Sequence, residues 1–324
     1  MARTRFLLLL QCLSYCLLAI ATGLSAFGPT TSSLGFGVSL LAAVTSGSSQ
    51  SIGEVLVVSR CYHLPSISLG AWGMGTGLSG LVAPLVYTLC KSIYSGSSGY
   101  GTIIFMLSLN VLIPIFYYAF KYVDHVNTHM GRAAKGDCTE LYKCSDSLDL
   151  TSASEGLACA WPIVLNFGAV YFLEYLITQS FLDRSTLRPD AHGFIDSNAY
   201  TLAYAGYNLG VALSRGVVGM FANCMVWGTE STVHYMRYTV FDTDTAAFIA
   251  YAICMVFVGL MGGTSYSACY AYFRDSPTVP DRLREVLVNV SYGVSSLGML
   301  LSSLSALALS KTVLSECSVY DCSY

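Results

Sequence analysis

Eight long apolar segments constrain this chain more than any other feature of its sequence. A helix needs about 20 mostly apolar residues to cross about 30 Å of hydrocarbon, because lipid cannot satisfy unpaired backbone groups. The segments that meet this requirement are 6–27, 35–59, 66–90, 100–120, 157–182, 198–224, 245–273 and 285–310. The sequence therefore predicts an all-α protein that crosses a lipid bilayer many times.

The composition supports this prediction and excludes several function classes. Of 324 residues, 54% are hydrophobic and 11% are charged, whereas a soluble domain has about 45–50% and about 25%. A formal net charge of −3 leaves no basic surface to follow a phosphate backbone, which argues against nucleic-acid binding. Many of the 12 cysteines lie inside the apolar segments, where they are typical of small buried side chains.

Polar residues divide the chain into two halves. We predict an N-terminal membrane half over 1–120, a polar cytoplasmic loop over 121–156, a C-terminal half over 157–310 and a tail over 311–324. The basic start resembles a signal peptide, but its apolar run exceeds the usual length of about 7–15 residues, so we expect a span. Residues 225–244 are ambiguous, because their charged side chains are costly in lipid.

The distribution of positive charge favours a ninth span over 225–244. Lysine and arginine accumulate in short cytoplasmic loops. With a cytoplasmic N-terminus, eight spans place Arg274, Arg282 and Arg284 outside, whereas nine spans place them inside. The sequence therefore predicts eight or nine spans, and the charge pattern favours nine.

Three charged residues inside apolar segments are the leading functional candidates, because each costs about 2.5–3.5 kcal/mol to insert. They are Glu54, Glu174 and Arg215. Glu54 shares a polar helical face with Gln50 and Gly53, which we expect to line a cavity. The alternative is that Glu54 reaches the membrane interface beside Arg60.

Glu174 lies about two-thirds along its segment, with Tyr171 on the same helical face and Tyr175 beside it. Such a carboxylate can bind a cationic group or take up a proton, because desolvation favours its neutral form. Arg215 offers a donor fork that suits a carboxylate or phosphate. The alternative for both is structural: Glu174 pairs with Arg215 or with tyrosine hydroxyls and holds helices together.

Glycines form the second pattern, and we expect them to permit close helix packing, or hinges for alternating access. The candidates are Gly53, Gly73, Gly75, Gly77, Gly80, Gly259, Gly262 and Gly263.

The chain has no zinc-protease motif or nucleophile elbow. His125 and His129 fall in the predicted polar loop without a completing carboxylate. We therefore expect no metal, no cofactor and no enzyme activity.

Several separate stretches resemble the battenin family of lysosomal membrane proteins. The similarity lies in SGSSQSIGEV from Ser46, GAWGMGTGLSGLVAPLVY from Gly70, VYFLEYLITQSFL from Val170, LSR from Leu213 and GLMGGTSY from Gly259. The order and spacing of these stretches agree with the family. The chain begins where the third helix of the family is expected, which predicts that the first two helices are missing.

The resemblance implies a major-facilitator-like fold with two helical halves around a midplane cavity. Glu54, Glu174 and Gly262 then lie on helices that line this cavity. It further implies a multi-pass protein of the lysosomal or vacuolar membrane that contributes to pH homeostasis. The expected cargo is a basic amino acid or glycerophosphodiester, moved with protons. The alternative is a non-transporting regulator whose polar loop binds trafficking or proton-pump partners.

Overall fold

The computed structural model describes residues 2–26, 29–62, 66–94, 99–133, 150–186, 198–216 and 244–312. These ranges contain helices and turns but no strands, which confirms the all-α prediction for this part of the chain. The helices are α1 (Ala2–Ala26), α2 (Pro29–Tyr62), α3 (Ser66–Ile93), α4 (Tyr100–Ser108), α5 (Leu112–Ala133), α6 (Leu150–Leu176), α7 (Asp183–Thr186), α8 (Ala199–Gly216), α9 (Asp244–Asp275) and α10 (Asp281–Lys311). A 3₁₀ turn, Leu109–Val111, follows α4, and a π-helix, Ile177–Leu182, follows α6.

Six stretches of the described helices are long and apolar enough to cross a membrane. They are Thr4–Ala26, Gly70–Ile93, Tyr100–Val126, Ala153–Leu182, Phe248–Arg274 and Arg282–Lys311. The chain is therefore a multi-pass membrane protein. Helices α2 and α8 coincide with two further predicted segments but are not among the six. Polar residues around Ser46–Glu54 on α2 and around Asn208–Arg215 on α8 lower their apolar character.

The first of two compact units comprises the described parts of Met1–Leu64 and Val86–Ser147. Small polar side chains tie α1 to α2. The Ser14 hydroxyl donates to the Ala42 carbonyl at 3.0 Å, and the Ser49 hydroxyl donates to the Leu7 carbonyl at 3.2 Å. On another side of α1, exposed apolar residues recur at helical spacing, namely Phe6, Leu9, Leu13 and Ile20. We interpret this face as lipid-facing, because lipid tolerates an apolar surface that water does not.

The second unit comprises the described parts of Pro65–Leu85 and Leu148–Tyr324. Helix α6 packs along α10, α8 packs along α9, and α9 also contacts α6. Glycines allow these close contacts: a Cβ on Gly298 of α10 would lie 2.5 Å from the carbonyl oxygen of Gly168 on α6. The apolar core between α8 and α9 includes Val211, Met255 and Val258. This unit contains Glu174 and Arg215.

The first residues of the segment predicted as a polar loop, 121–133, are helical. Helix α5 continues to Ala133, so His125 and His129 lie on a helix rather than in a loop. Tyr122, Val126 and Met130 recur four residues apart, a helical spacing that the abundance of polar residues obscured. Residues 134–149 and 217–243, which include nearly all of the ambiguous segment 225–244, lie outside the described residues. The division at 120 and 157 and the count of eight or nine spans stay predictions.

Candidate functional site

Glu174 lies near the C-terminal end of α6, immediately before the π-helix Ile177–Leu182. The residue is 5% exposed, although it belongs to a helix that can cross the membrane. Tyr207 of α8 donates a hydrogen bond from its hydroxyl to Oε1 of Glu174 at 2.6 Å. A hydrogen bond to a carboxylate offsets part of the cost of burying it. Glu174 and Tyr207 therefore form a buried polar contact between α6 and α8.

Two glycines of α9 permit this contact. A Cβ on Gly262 would overlap the carboxylate of Glu174, so only glycine leaves room for that side chain as it stands. A Cβ on Gly259 would overlap the carbonyl oxygen of Tyr207 and lie 2.9 Å from the amide nitrogen of Val211. Since α9 approaches α8 this closely, its backbone forms one wall of the site.

A small cavity of about 70 Å³ adjoins Glu174. Its lining comes from α6 and the following π-helix, and from α9: Asn166, Ala169, Val170, Leu173, Glu174, Ile177, Val258, Met261, Gly262 and Ser265. This volume accommodates small molecules such as water, whereas pockets for larger ligands are about 300–1,000 Å³. In helical projection Glu174 borders this cavity, and Tyr171 lies on the side of Glu174 that faces away from the cavity.

Arg215 lies at the C-terminal end of α8, where three other helices contribute to its surroundings. Its Nη1 donates to the Thr76 hydroxyl of α3 at 2.5 Å, and its Nη2 donates to the Tyr171 hydroxyl of α6 at 3.2 Å. Its Cζ lies 4.0 Å from the ring centroid of Tyr266 of α9, a cation–π contact. A Cβ on Gly73 would lie 3.3 Å from Cβ of Arg215, so α3 passes close to the arginine stem.

Hydroxyl groups hold Glu174 and Arg215. Among the described residues, the hydrogen-bond partner of the carboxylate is Tyr207 and those of the guanidinium are Thr76 and Tyr171. An ion pair at the surface joins Arg282 to Glu155 at 3.0 Å. Of the structural alternatives considered for Glu174, the tyrosine contact is therefore present and direct pairing with Arg215 is not found among the described residues.

Other predicted site residues of the second unit surround this centre. The ring of Tyr175 stacks on that of Tyr171, with centroids 6.2 Å apart. Three glycines lie against α8 or its side chains: Gly77 faces Ala212, Gly80 faces Asn208 and Gly263 faces Ser214. Gly75 is exposed, and a Cβ there would meet nothing within 4 Å.

Glu54, Gln50 and Gly53 belong to α2 in the first unit. Glu54 is half-buried and Gln50 is exposed. A Cβ on Gly53 would lie 3.2 Å from Cδ1 of Leu7, so α1 passes close to this glycine. The side chain of Arg60 lies outside the described residues, so the interface alternative for Glu54 stays a prediction.

Three residues of the centre were missed from the sequence: Thr76, Tyr207 and Tyr266. Tyr266 follows Gly259 by seven residues and shares its helical face, so the glycine pattern contained a signal for it. Tyr207 contacts a residue 33 positions away, and Thr76 contacts one 139 positions away. Helical periodicity carries no information on such distant pairs. Within the described ranges, no three His, Cys, Asp or Glu side chains gather into a metal-binding group.

Comparison with known proteins identifies relatives that match most of the chain. The chain is 22% identical to battenin of Dictyostelium discoideum over 325 residues, and the match covers 87% of this chain and 74% of the relative. It is 24% identical to protein BTN1 of Kluyveromyces lactis, covering 82% and 68% of the two chains. It is 27% identical to protein btn1 of Schizosaccharomyces pombe, covering 84% and 70%. No protein-family model matches.

Proposed function

The chain belongs to the battenin family, and from this premise we propose that it is a transporter of small polar metabolites in an endolysosomal or vacuolar membrane. The observation that carries the proposal is the buried carboxylate of Glu174. This residue belongs to a helix that can cross the membrane, and it borders a cavity. Ionisable groups at such positions are costly and typically mark ion or substrate pathways. The site binds and releases its cargo without transforming it.

Glu174 is the proton-coupling residue in this proposal. Its carboxylate borders a cavity that can hold water on one side and accepts a hydrogen bond from Tyr207 on the other. Protonation removes the charge that this hydrogen bond stabilises, so the tie between α6 and α8 weakens. The π-helix Ile177–Leu182 starts three residues later, and π-helical turns occur frequently at functional sites. A change at Glu174 can therefore alter the packing of α6.

The substrate class and the cellular role in this proposal follow the resemblance described above. We expect a basic amino acid or a glycerophosphodiester as the cargo, and a contribution to lysosomal or vacuolar pH homeostasis. A major-facilitator-like layout of eight or nine spans is part of the same proposal. A fluorescent fusion that colocalises with an acidic compartment supports the proposed membrane, and one that stays elsewhere contradicts it.

Reconstituted vesicles test the transport activity. The purified chain is inserted into liposomes, and a pH difference is imposed across their membrane. Uptake of labelled lysine and glycerophosphocholine is then measured. Glu174→Gln should abolish gradient-driven uptake, because glutamine keeps the shape of the side chain but cannot exchange a proton. Glu155→Gln is the matched control, since Glu155 is half exposed and pairs with Arg282 at the surface.

Two results contradict the proposal. Normal uptake by Glu174→Gln at every pH difference excludes Glu174 as the coupling residue. Absence of uptake by the unmodified chain, combined with loss of cellular function on deletion of 134–149, favours the regulator that acts through its polar loop. Equal incorporation of both variants into liposomes, measured by protease protection, excludes a folding defect as the cause.

A further inference from the structure

Arg215 is half-buried, and the groups that contact its guanidinium are neutral. The guanidinium contacts two hydroxyls and one aromatic face, from Thr76, Tyr171 and Tyr266. A buried charge is normally paired with an opposite charge, because hydroxyls and rings compensate it only in part. Among the described residues, no carboxylate forms an ion pair with Arg215 within 4.0 Å. The part of the chain that the structure describes therefore gives this positive charge no direct ion-pair partner.

The donors of the guanidinium are not all used. Arginine has five N–H donors in a planar fork, and the hydroxyls of Thr76 and Tyr171 each accept a bond from one of them. Nε of Arg215 is buried and has no hydrogen-bond partner among the residues that the structure describes. Buried donors are rarely left unsatisfied, and such exceptions call for an explanation. An incoming acceptor at Nε would satisfy the donor and compensate the charge together.

The surroundings hold the fork in place. Tyr171 packs edge-on against Phe167 and stacks with Tyr175, at centroid distances of 4.8 Å and 6.2 Å. Tyr266 is 2% exposed and packs edge-on against Tyr270. A fork held by α3, α6 and α9 loses little conformational freedom when a ligand binds, which favours binding.

We propose that Arg215 is the oxyanion-binding subsite of the transported metabolite. Carboxylates and phosphates present two oxygens that match the arginine fork, and the resulting hydrogen bonds are charge-assisted. The ligand class is a small metabolite that carries one such oxyanion. Thr76 and Tyr171 are positioning residues, and Tyr266 covers the flat face of the guanidinium. This inference rests on the proposed transport function and adds the group by which the cargo is recognised.

Matched probes test the oxyanion requirement in the purified full chain in lipid nanodiscs. L-Lysine is compared with cadaverine, which is the same molecule without its carboxylate. Glycerophosphocholine is compared with an equimolar mixture of glycerol and choline. We expect lysine or glycerophosphocholine to bind at least about tenfold more tightly than its matched partner, as measured by calorimetry. Which pair discriminates identifies the source of the oxyanion as a carboxylate or a phosphate.

Variants of the site locate the binding. Arg215→Gln should weaken binding of the preferred probe at least about tenfold, and Arg215→Lys should weaken it less, because lysine keeps the charge but not the fork. Arg282→Gln is the matched control, because its side chain is 67% exposed at the surface. If Arg215→Gln does not fold, Tyr171→Phe serves instead. This substitution removes the hydroxyl that accepts a hydrogen bond from the guanidinium and keeps the aromatic ring. It should weaken the preference for the oxyanion probe severalfold.

The outcomes separate this inference from the proposed transport function. Equal binding of both members of each pair, or a preference that survives Arg215→Gln or Tyr171→Phe unchanged, overturns the oxyanion subsite even if gradient-driven uptake depends on Glu174. Oxyanion binding that depends on Arg215 supports the subsite even if the reconstituted chain transports nothing. In that second case the transport function fails and the subsite stands.

Discussion

Substitution of Gly262 by alanine tests whether the close approach of α9 holds the Glu174 carboxylate in place. A Cβ at this position would overlap the carboxylate, which is the mobile end of a long side chain beside a cavity of about 70 Å³. We expect the carboxylate to move towards that cavity and lose the 2.6 Å hydrogen bond from Tyr207. The loss of a hydrogen bond to a charged group costs about 1.5–3 kcal/mol.

Two other glycine substitutions bracket this effect. Gly75→Ala meets nothing within 4 Å and should leave stability unchanged or raise it slightly, because alanine favours helix. Gly259→Ala would meet the backbone of α8 at Tyr207 and Val211, which cannot move aside as a side chain can. Overpacking of this kind costs about 1–3 kcal/mol or more. We therefore expect Gly259→Ala to reduce stability the most of the three substitutions.

The assay is thermal unfolding of the purified variants in one detergent, followed by uptake in liposomes. We expect the melting temperature to be highest for Gly75→Ala, lower for Gly262→Ala and lowest for Gly259→Ala. In a Tyr207→Phe background, Gly262→Ala should cost less, because the hydrogen bond is already absent. A melting temperature for Gly262→Ala equal to that for Gly75→Ala would refute the reasoning, as would an unchanged cost in the Tyr207→Phe background.

Three further predictions concern single contacts and topology. Tyr207→Phe should destabilise the chain by about 1–3 kcal/mol, because a buried carboxylate loses its donor; an unchanged unfolding midpoint contradicts this. Arg282→Gln breaks an exposed ion pair and should change stability by less than about 1 kcal/mol in the same unfolding assay. Pro277→Cys, in an otherwise cysteine-free chain, should react with an impermeant maleimide from the cytoplasmic side if nine spans are present. Labelling from the opposite side favours eight.

The helices and the charged centre were partly predictable from the sequence, for physical reasons that differ between elements. Long apolar segments predict helices because the backbone in lipid has few alternatives, and Glu174 is conspicuous because charges are costly there. The helical extension of α5 to Ala133 was missed because polar composition hid its periodicity. The contact of Arg215 with Thr76 was missed because local periodicity does not encode pairing between distant helices.

The hydroxyl contacts at this centre suit a site that exchanges its ligands. A direct ion pair between Glu174 and Arg215 would bind each charge tightly, since breaking a buried pair costs about 3–5 kcal/mol. Hydroxyl partners stabilise both charges less strongly, and Tyr207 and Thr76 come from different helices. A proton at Glu174 then competes with a neutral hydroxyl, and an oxyanion at Arg215 binds beside the hydroxyl contacts without displacing an opposite charge. The arrangement therefore favours reversible binding at both residues, as the proposed transport cycle requires.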